Sequence, residues 1–306
     1  MTLLMQILED LLRYNTLVIL GGTSLLGLVS GIVGSLTVLR RRALAGDALA
    51  HATLPGLCLA FILVEERILP ILLIGAGITG LLGLFSVSVI SRNPRVKDDS
   101  ALAIVLGVFF GLGIVLSRWI QNQTTEGSKA GLDSFLLGKT SGMILADVLL
   151  IALISVCVLV IIGALFKEFQ LTLFDSSFAQ ATGWPVRFMD FLLMLLVGVV
   201  VVAGLPSVGV VLMTALLVIP AASARFWTNQ LGKMCMISAL TGMISCLCGV
   251  ILSTVFEEMP SGALITVSAT FCFCVSAVLA PCRGLLWQNR QKARAMTMQT
   301  SGSGEA

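Results

Sequence analysis

The sequence predicts an all-α polytopic membrane protein with about nine transmembrane helices. Three observations carry this. The 306 residues are 57% hydrophobic and 11% charged, against roughly 25% charged in soluble domains. Apolar runs of about 20 residues, each long enough to cross a bilayer as a helix, recur along the whole length. Glycine is abundant, at 30 residues, as close helix packing in lipid requires.

The elements follow in order. A first span, 16–39, stops at Arg40, Arg41 and Arg42. The second, 45–64, carries Pro55 and Gly56 in its middle and ends at Glu65, Glu66 and Arg67. The third, 68–91, gives way to Arg92, Arg95 and Lys97. The fourth, 100–117, is followed by the linker 118–142, and the fifth, 143–165, by the linker 166–187. The sixth and seventh, 188–206 and 207–227, are divided only by "GLPSVG" (204–209), where Gly and Pro mark a turn. After Arg225 and Lys233 comes the eighth, 232–254, closed by Glu257 and Glu258. The ninth, 261–281, precedes a tail with Arg283, Arg290, Lys292 and Arg294. No soluble domain fits between these spans. The expected organisation is an extracytoplasmic segment 1–15, one transmembrane domain 16–285, and a polar, disordered cytoplasmic tail 286–306.

The first, third and seventh loops and the tail are basic, whereas even loops are acidic, mixed or uncharged. The positive-inside rule therefore places odd loops and the C-terminus in the cytoplasm and the N-terminus outside. "MTLLMQILEDLLRYN" lacks a basic start and a small-residue cleavage site, so a cleaved signal peptide is not expected. No basic, aromatic-interleaved surface points to nucleic acid. Most of the eight cysteines lie within apolar runs and read as small buried residues. "GLDSFLLGKT" (131–140) ends like a phosphate-binding loop, but the motif needs Gly at 133, where Asp133 stands. The chain is expected to hydrolyse no ATP itself.

Two places carry chemistry. Asp47 and His51, the one histidine of the chain, sit four apart and share a helix face. Asp47 would lie about 7.5 Å past Arg42 along a helix, and His51 about 6 Å deeper. Ionisable groups at such depth cost several kcal/mol unless paired, hydrated or metal-bound. Two readings stay open on these residues: a structural pair, or a cation site on a transport path. One oxygen and one nitrogen are an incomplete shell for a divalent metal, so further ligands would come from elsewhere. Pro55, Gly56 and Pro220 are candidate helix breaks, and such breaks are tolerated where freed carbonyls face protein or a cavity. In the loop "FDSSFAQATGWP" (174–185), Phe174, Phe178 and Ala181 fall on helical spacing behind the capping residues Asp175, Ser176 and Ser177. Its polar face lacks the Lys and Arg that favour anionic lipid, so a protein groove is the expected partner, with Phe174, Phe178 and Ala179 as anchors and Gly183 for a sharp turn.

"RRRALAGDALAHATLPGLCLAFIL" (40–63) resembles the signature of the membrane permeases of ABC metal importers. "FDSSFAQATG" (174–183) is similar to that family's cytoplasmic coupling segment, "VGVVLMTALLVIPAASA" (208–224) to its late span, and "LDSFLLGKTSG" (132–142) to its extracytoplasmic segment, with Lys139 where small residues are more usual. The resemblance covers about 16–285. It implies a type II ABC importer fold in a bacterial cytoplasmic membrane. It also implies a second permease, two ATP-binding subunits and an extracytoplasmic metal-binding protein as partners. The family's metal ligands would map onto Asp47 and His51, and 174–183 would insert into the ATPase. The cargo would be manganese before zinc or iron, with no permanently bound cofactor. Rival readings are an ion-coupled secondary carrier, disfavoured by the coupling-like loop, and a structural subunit. An intramembrane metalloprotease would need a second histidine on one helix face.

Overall fold

Small residues set the centre of the fold. In this computed structural model, which describes residues 13–64, 69–91, 93, 95–123, 142–255, 260–281 and 284, helix α1 (Tyr14–Leu39) carries Gly27, Gly31 and Gly34 along one stripe. Each meets backbone: Gly27 faces the carbonyl of Gly242, Gly31 faces Ser238, and Gly34 faces Leu217. A Cβ at any of them would overlap its neighbour. Ser238 Oγ also donates to the Gly31 carbonyl at 2.7 Å. Close approach through small residues, reinforced by a short polar bond, is how helices associate where lipid is as apolar as leucine.

Ten further helices follow among the described residues. In order they are α2 (Ala45–Ala52), α3 (Leu54–Val64), α4 (Leu69–Ile90), α5 (Asp98–Gln123), α6 (Leu145–Ala164), α7 (Phe166–Phe174), α8 (Ser176–Ala181), α9 (Val186–Trp227), α10 (Leu231–Val255) and α11 (Ser261–Leu279). Among the described residues every regular element is a helix. Eight helical stretches are long and apolar enough to cross a membrane, with α2 and α3 counted as one stretch, Ala45–Val64.

The 42-residue α9 is a hairpin. Its one non-helical residue is Gly209, at φ 79 and ψ 169, a conformation reserved for glycine. Gly204 packs against the Met213 side chain, yet nine residues of straight helix would separate them by about 13.5 Å. Leu217 touches Gly46, and Gly198 lies beside Leu49, one turn further along α2. Residues 198 and 217 therefore sit at nearly the same depth, on two antiparallel legs. The described chain makes nine passes, and the reversal falls at the last residue of the expected "GLPSVG" turn.

One end of the bundle is held by charge. Arg40 bonds Asp190 at 2.6 Å and donates to the Thr172 carbonyl at 3.2 Å. Arg42 bonds Asp98 at 2.7 Å. These contacts bring the ends of α1, α5, α7 and α9 to one face, which also carries α8. Arg41 stands at φ 60, where a left-handed turn closes α1 through bonds from Arg41 N to Val38 O and from Arg42 N to Thr37 O. Segment 1–12, residues 65–68 and 256–259, Arg92, Arg283, the stretch 124–141 with its Gly-Lys-Thr, and the tail 285–306 lie outside the described residues.

Candidate metal site and docking segment

Two glycine contacts and one proline shape the second pass. Pro55 lacks the N–H that would reach the His51 carbonyl, so the helix interrupts at Thr53, between α2 and α3. The break precedes the proline because the missing bond belongs to the turn before it. Pro55 itself is buried in the first turn of α3, beside Gly113 of α5. Gly56 is no opening: it and Gly75 of α4 face each other's carbonyls with no room for a Cβ on either. Pro220 does not break its helix either. The second leg of α9 runs through it to Trp227, with Gly209 the only non-helical position. Of the three expected breaks, Pro55 alone interrupts a helix.

Asp47 and His51 lie on the outward stripe of α2, as their spacing demands. Asp47 Oδ1 stands 3.3 Å from His51 Nε2, with side chains 37% and 19% exposed. That exceeds the roughly 2.7–2.9 Å of a charge-assisted hydrogen bond. The imidazole packs edge-on against Phe110 of α5, with ring centroids 4.6 Å apart and planes at 70°. Phe110 is about 18 Å along α5 from Asp98, more than half of a hydrocarbon core of about 30 Å. His51 Nδ1 is buried and has no hydrogen-bond partner among the described residues. An unmet buried polar atom costs about 1–3 kcal/mol. The pair therefore does not join two helices by a polar bond: its two members share one helix, and its contact across to α5 is with a hydrocarbon ring.

The stripe combines a carboxylate and an unsatisfied imidazole, one hard and one borderline donor, on a partly open surface. That is a partial coordination set. Among the described residues no group of three or more His, Cys, Asp or Glu could hold a metal ion. Cys58 adds nothing to the pair; its thiol is buried and points to the Gly113 carbonyl at 3.7 Å. Phe110 is the member of the site that sequence reasoning missed, because a phenylalanine in "LGVFFGLG" carries no polar signal.

At the charged end, α8 forms as its caps dictate. The Asp175 carboxylate accepts from Phe178 N at 2.9 Å. Gly183, at φ 88, ends the helix: Gly183 N reaches Gln180 O and Trp184 N reaches Ala179 O at 2.9 Å, the left-handed stop that glycine provides. Phe174 and Phe178 are 58% and 55% exposed and can act as anchors. Ala179 cannot. It is fully buried, about 100° around α8 from Phe178, where α8 packs on α7 and α9. Trp184 and Phe188, also exposed, extend the apolar surface beyond the expected segment. Continuing the helical reading past Gly183 would have found them.

Residues 14–280 match the family described as the ABC 3 transport family. The chain is similar to the manganese transport system membrane protein MntC of Bacillus subtilis (strain 168), at 48% identity over 271 residues; the match covers 89% of this chain and 62% of that one. It is also similar to the zinc transport system membrane protein TroC of Treponema pallidum (strain Nichols), at 39% identity over 299 residues, covering 98% and 99% of the two chains. Among solved structures it resembles one titled PsaBC from Streptococcus pneumoniae in complex with Fab, with a TM-score of 0.80 and 31% identity over 92% of this chain and 97% of that one.

Proposed function

The chain belongs to the ABC 3 transport family, and from that premise we propose that it is the membrane permease of an ATP-driven importer of a divalent transition metal, manganese first. The observation that carries the reading is the Asp47–His51 stripe, where Asp47 Oδ1 and His51 Nε2 face each other at 3.3 Å. A passing cation held between them neutralises a carboxylate within a span. Manganese suits one oxygen and one nitrogen donor, and zinc accepts the same set. The zinc reading keeps second place because TroC, 39% identical, is named for zinc.

A separate ATP-binding subunit drives transport. The apolar surface of Phe174, Phe178 and Trp184 is its dock. The residual coordination positions fall to a second permease, backbone carbonyls or water, and an extracytoplasmic metal-binding protein delivers the ion. The basic end faces the cytoplasm and the N-terminus lies outside, in a bacterial cytoplasmic membrane. Transport follows if closure of the ATPase moves the charged end as a rigid body and the stripe passes its ion inward.

The test measures cellular manganese beside membrane abundance of the permease. Asp47→Asn and His51→Ala are each expected to abolish accumulation, a loss of at least about tenfold for a removed charged or metal-binding partner, while abundance stays normal. Normal accumulation in both variants would overturn the reading.

A further inference from the structure

The face of α2 opposite the metal stripe lines a groove of its own. At 3.6 residues per turn, Leu49 lies about 160° around α2 from both Asp47 and His51. Leu49 and Thr53 form the floor of a groove of ≈ 230 Å³, whose walls are α4 from Leu73 to Leu84, α6 at Leu150 and Ile154, and the first leg of α9. Leu81 and Val199, both on its lining, are also exposed, so the groove opens sideways on the outside of the bundle. Thr53 is its one polar side chain, and its hydroxyl is satisfied by the Ala50 carbonyl at 2.6 Å.

We propose that this groove seats the acyl chain of a membrane lipid against the back of the metal-bearing helix. Four observations favour that occupant. The lining is apolar, and apolar cavities of even about 150 Å³ stay dry and take hydrocarbon guests. Leu73 to Leu84 spans about 16 Å of helix, half of a hydrocarbon core of about 30 Å and hence the reach of one leaflet's chain. The rim is bulky: Ile74 and Ile78 on one side, Leu149 and Leu153 on the other, all more than half exposed. A second copy of the chain would seek the small residues inside the groove, and these bulky side chains stand between it and them. Finally, Asp47 and His51 point the opposite way, so a subunit that completes the metal path leaves this face to the bilayer. Only this last observation rests on the function proposed above.

The acyl chain would then set the position of α2. The groove is left open by glycines: a Cβ at Gly77 meets nothing within 4 Å, and one at Gly198 meets only Leu49 and Leu84 at 3.9 and 4.0 Å. Leucine at both positions fills the space without striking backbone. The test reconstitutes the full chain in phosphatidylcholine vesicles doped with phosphatidylcholine bearing a diazirine within its acyl chain. Irradiated protein is digested and the labelled peptides are mapped by mass spectrometry. Residues 73–84 and 195–203 are expected to label severalfold more than the outward face of α5 around Val108 and Val115. The double variant Gly77→Leu, Gly198→Leu should fall to the α5 level while keeping the wild-type sizing profile. Asp47→Asn should label like wild type, because the lipid site stands even if the metal reading fails. Equal labelling of groove and α5, or undiminished labelling of the filled variant, would overturn the proposal. So would a disulfide between two copies carrying Gly77→Cys in a cysteine-free background, which would mean that protein, not lipid, covers the groove.

Discussion

Which residues tolerate change follows from what stands next to each. Gly21 and Gly242 illustrate this, both glycines in long apolar helices. A Cβ at Gly21 would meet nothing within 4 Å, whereas one at Gly242 would strike the Gly27 carbonyl. Gly242→Ala is expected to push α10 from α1 and cost about 1–3 kcal/mol, as overpacking does. Gly21→Ala should be neutral or slightly stabilising. Thermal unfolding of the two purified variants in one detergent checks the contrast; equal midpoints would mean that the α1–α10 contact yields. The same scale separates what the sequence disclosed at the proposed metal site from what it hid. Asp47 and His51 were legible because charge within an apolar run is rare and costly. Phe110 was not, because its role comes only from lying against an imidazole brought from another helix.

Elements are fixed by their ends, and α8 is a clear case. Its first turn depends on the Asp175 carboxylate and its last on Gly183. Asp175→Ala removes a cap worth about 1 kcal/mol, so amides of 176–181 should exchange roughly fivefold faster while the membrane helices keep their protection. Phe178→Glu makes the sharper test of docking. Phe178 is exposed, so the variant keeps the chain's own fold, and the ATP-binding subunit should be lost on a sizing column. Retention of that subunit with coupled ATP turnover would reduce α8 to a surface loop. Ala179→Glu cannot serve this purpose, since it would drive a charge into the chain's own packing. Sequence spacing found α8 and its caps because local bonds make them. It gave Ala179 the wrong direction because a six-residue helix is too short for periodicity to tell an outward face from an inward one. The interruption that Pro55 causes stands two residues earlier, at Thr53, because a proline acts on the turn behind it.

The passes of the whole molecule were legible because hydropathy and basic loops are read one segment at a time. Their mutual packing was not, since Gly56 against Gly75, or Gly198 beside Leu49, depends on where distant segments come to lie. The proposed orientation has a direct test. In a cysteine-free background, Gln123→Cys should react with an impermeant thiol reagent in intact cells, and Ser177→Cys only after the membrane is opened. The reverse pattern would turn the molecule over and remove α8 from the ATPase. The hairpin at Gly209 bears on how the chain enters the membrane at all. Its charged residues, Arg187, Asp190 and Arg225, all lie near the open end of the two legs, and from 191 to 224 the sequence has none. The tip therefore carries no residue that could hold it on either side during synthesis. A ribosome that has delivered only the first leg has delivered a span with a signal at one end. The second leg supplies Arg225, which retains both ends together. By the positive-inside rule the two passes would then enter the bilayer as one biosynthetic unit, and chain release between them would leave a fragment whose direction rests on Arg187 alone.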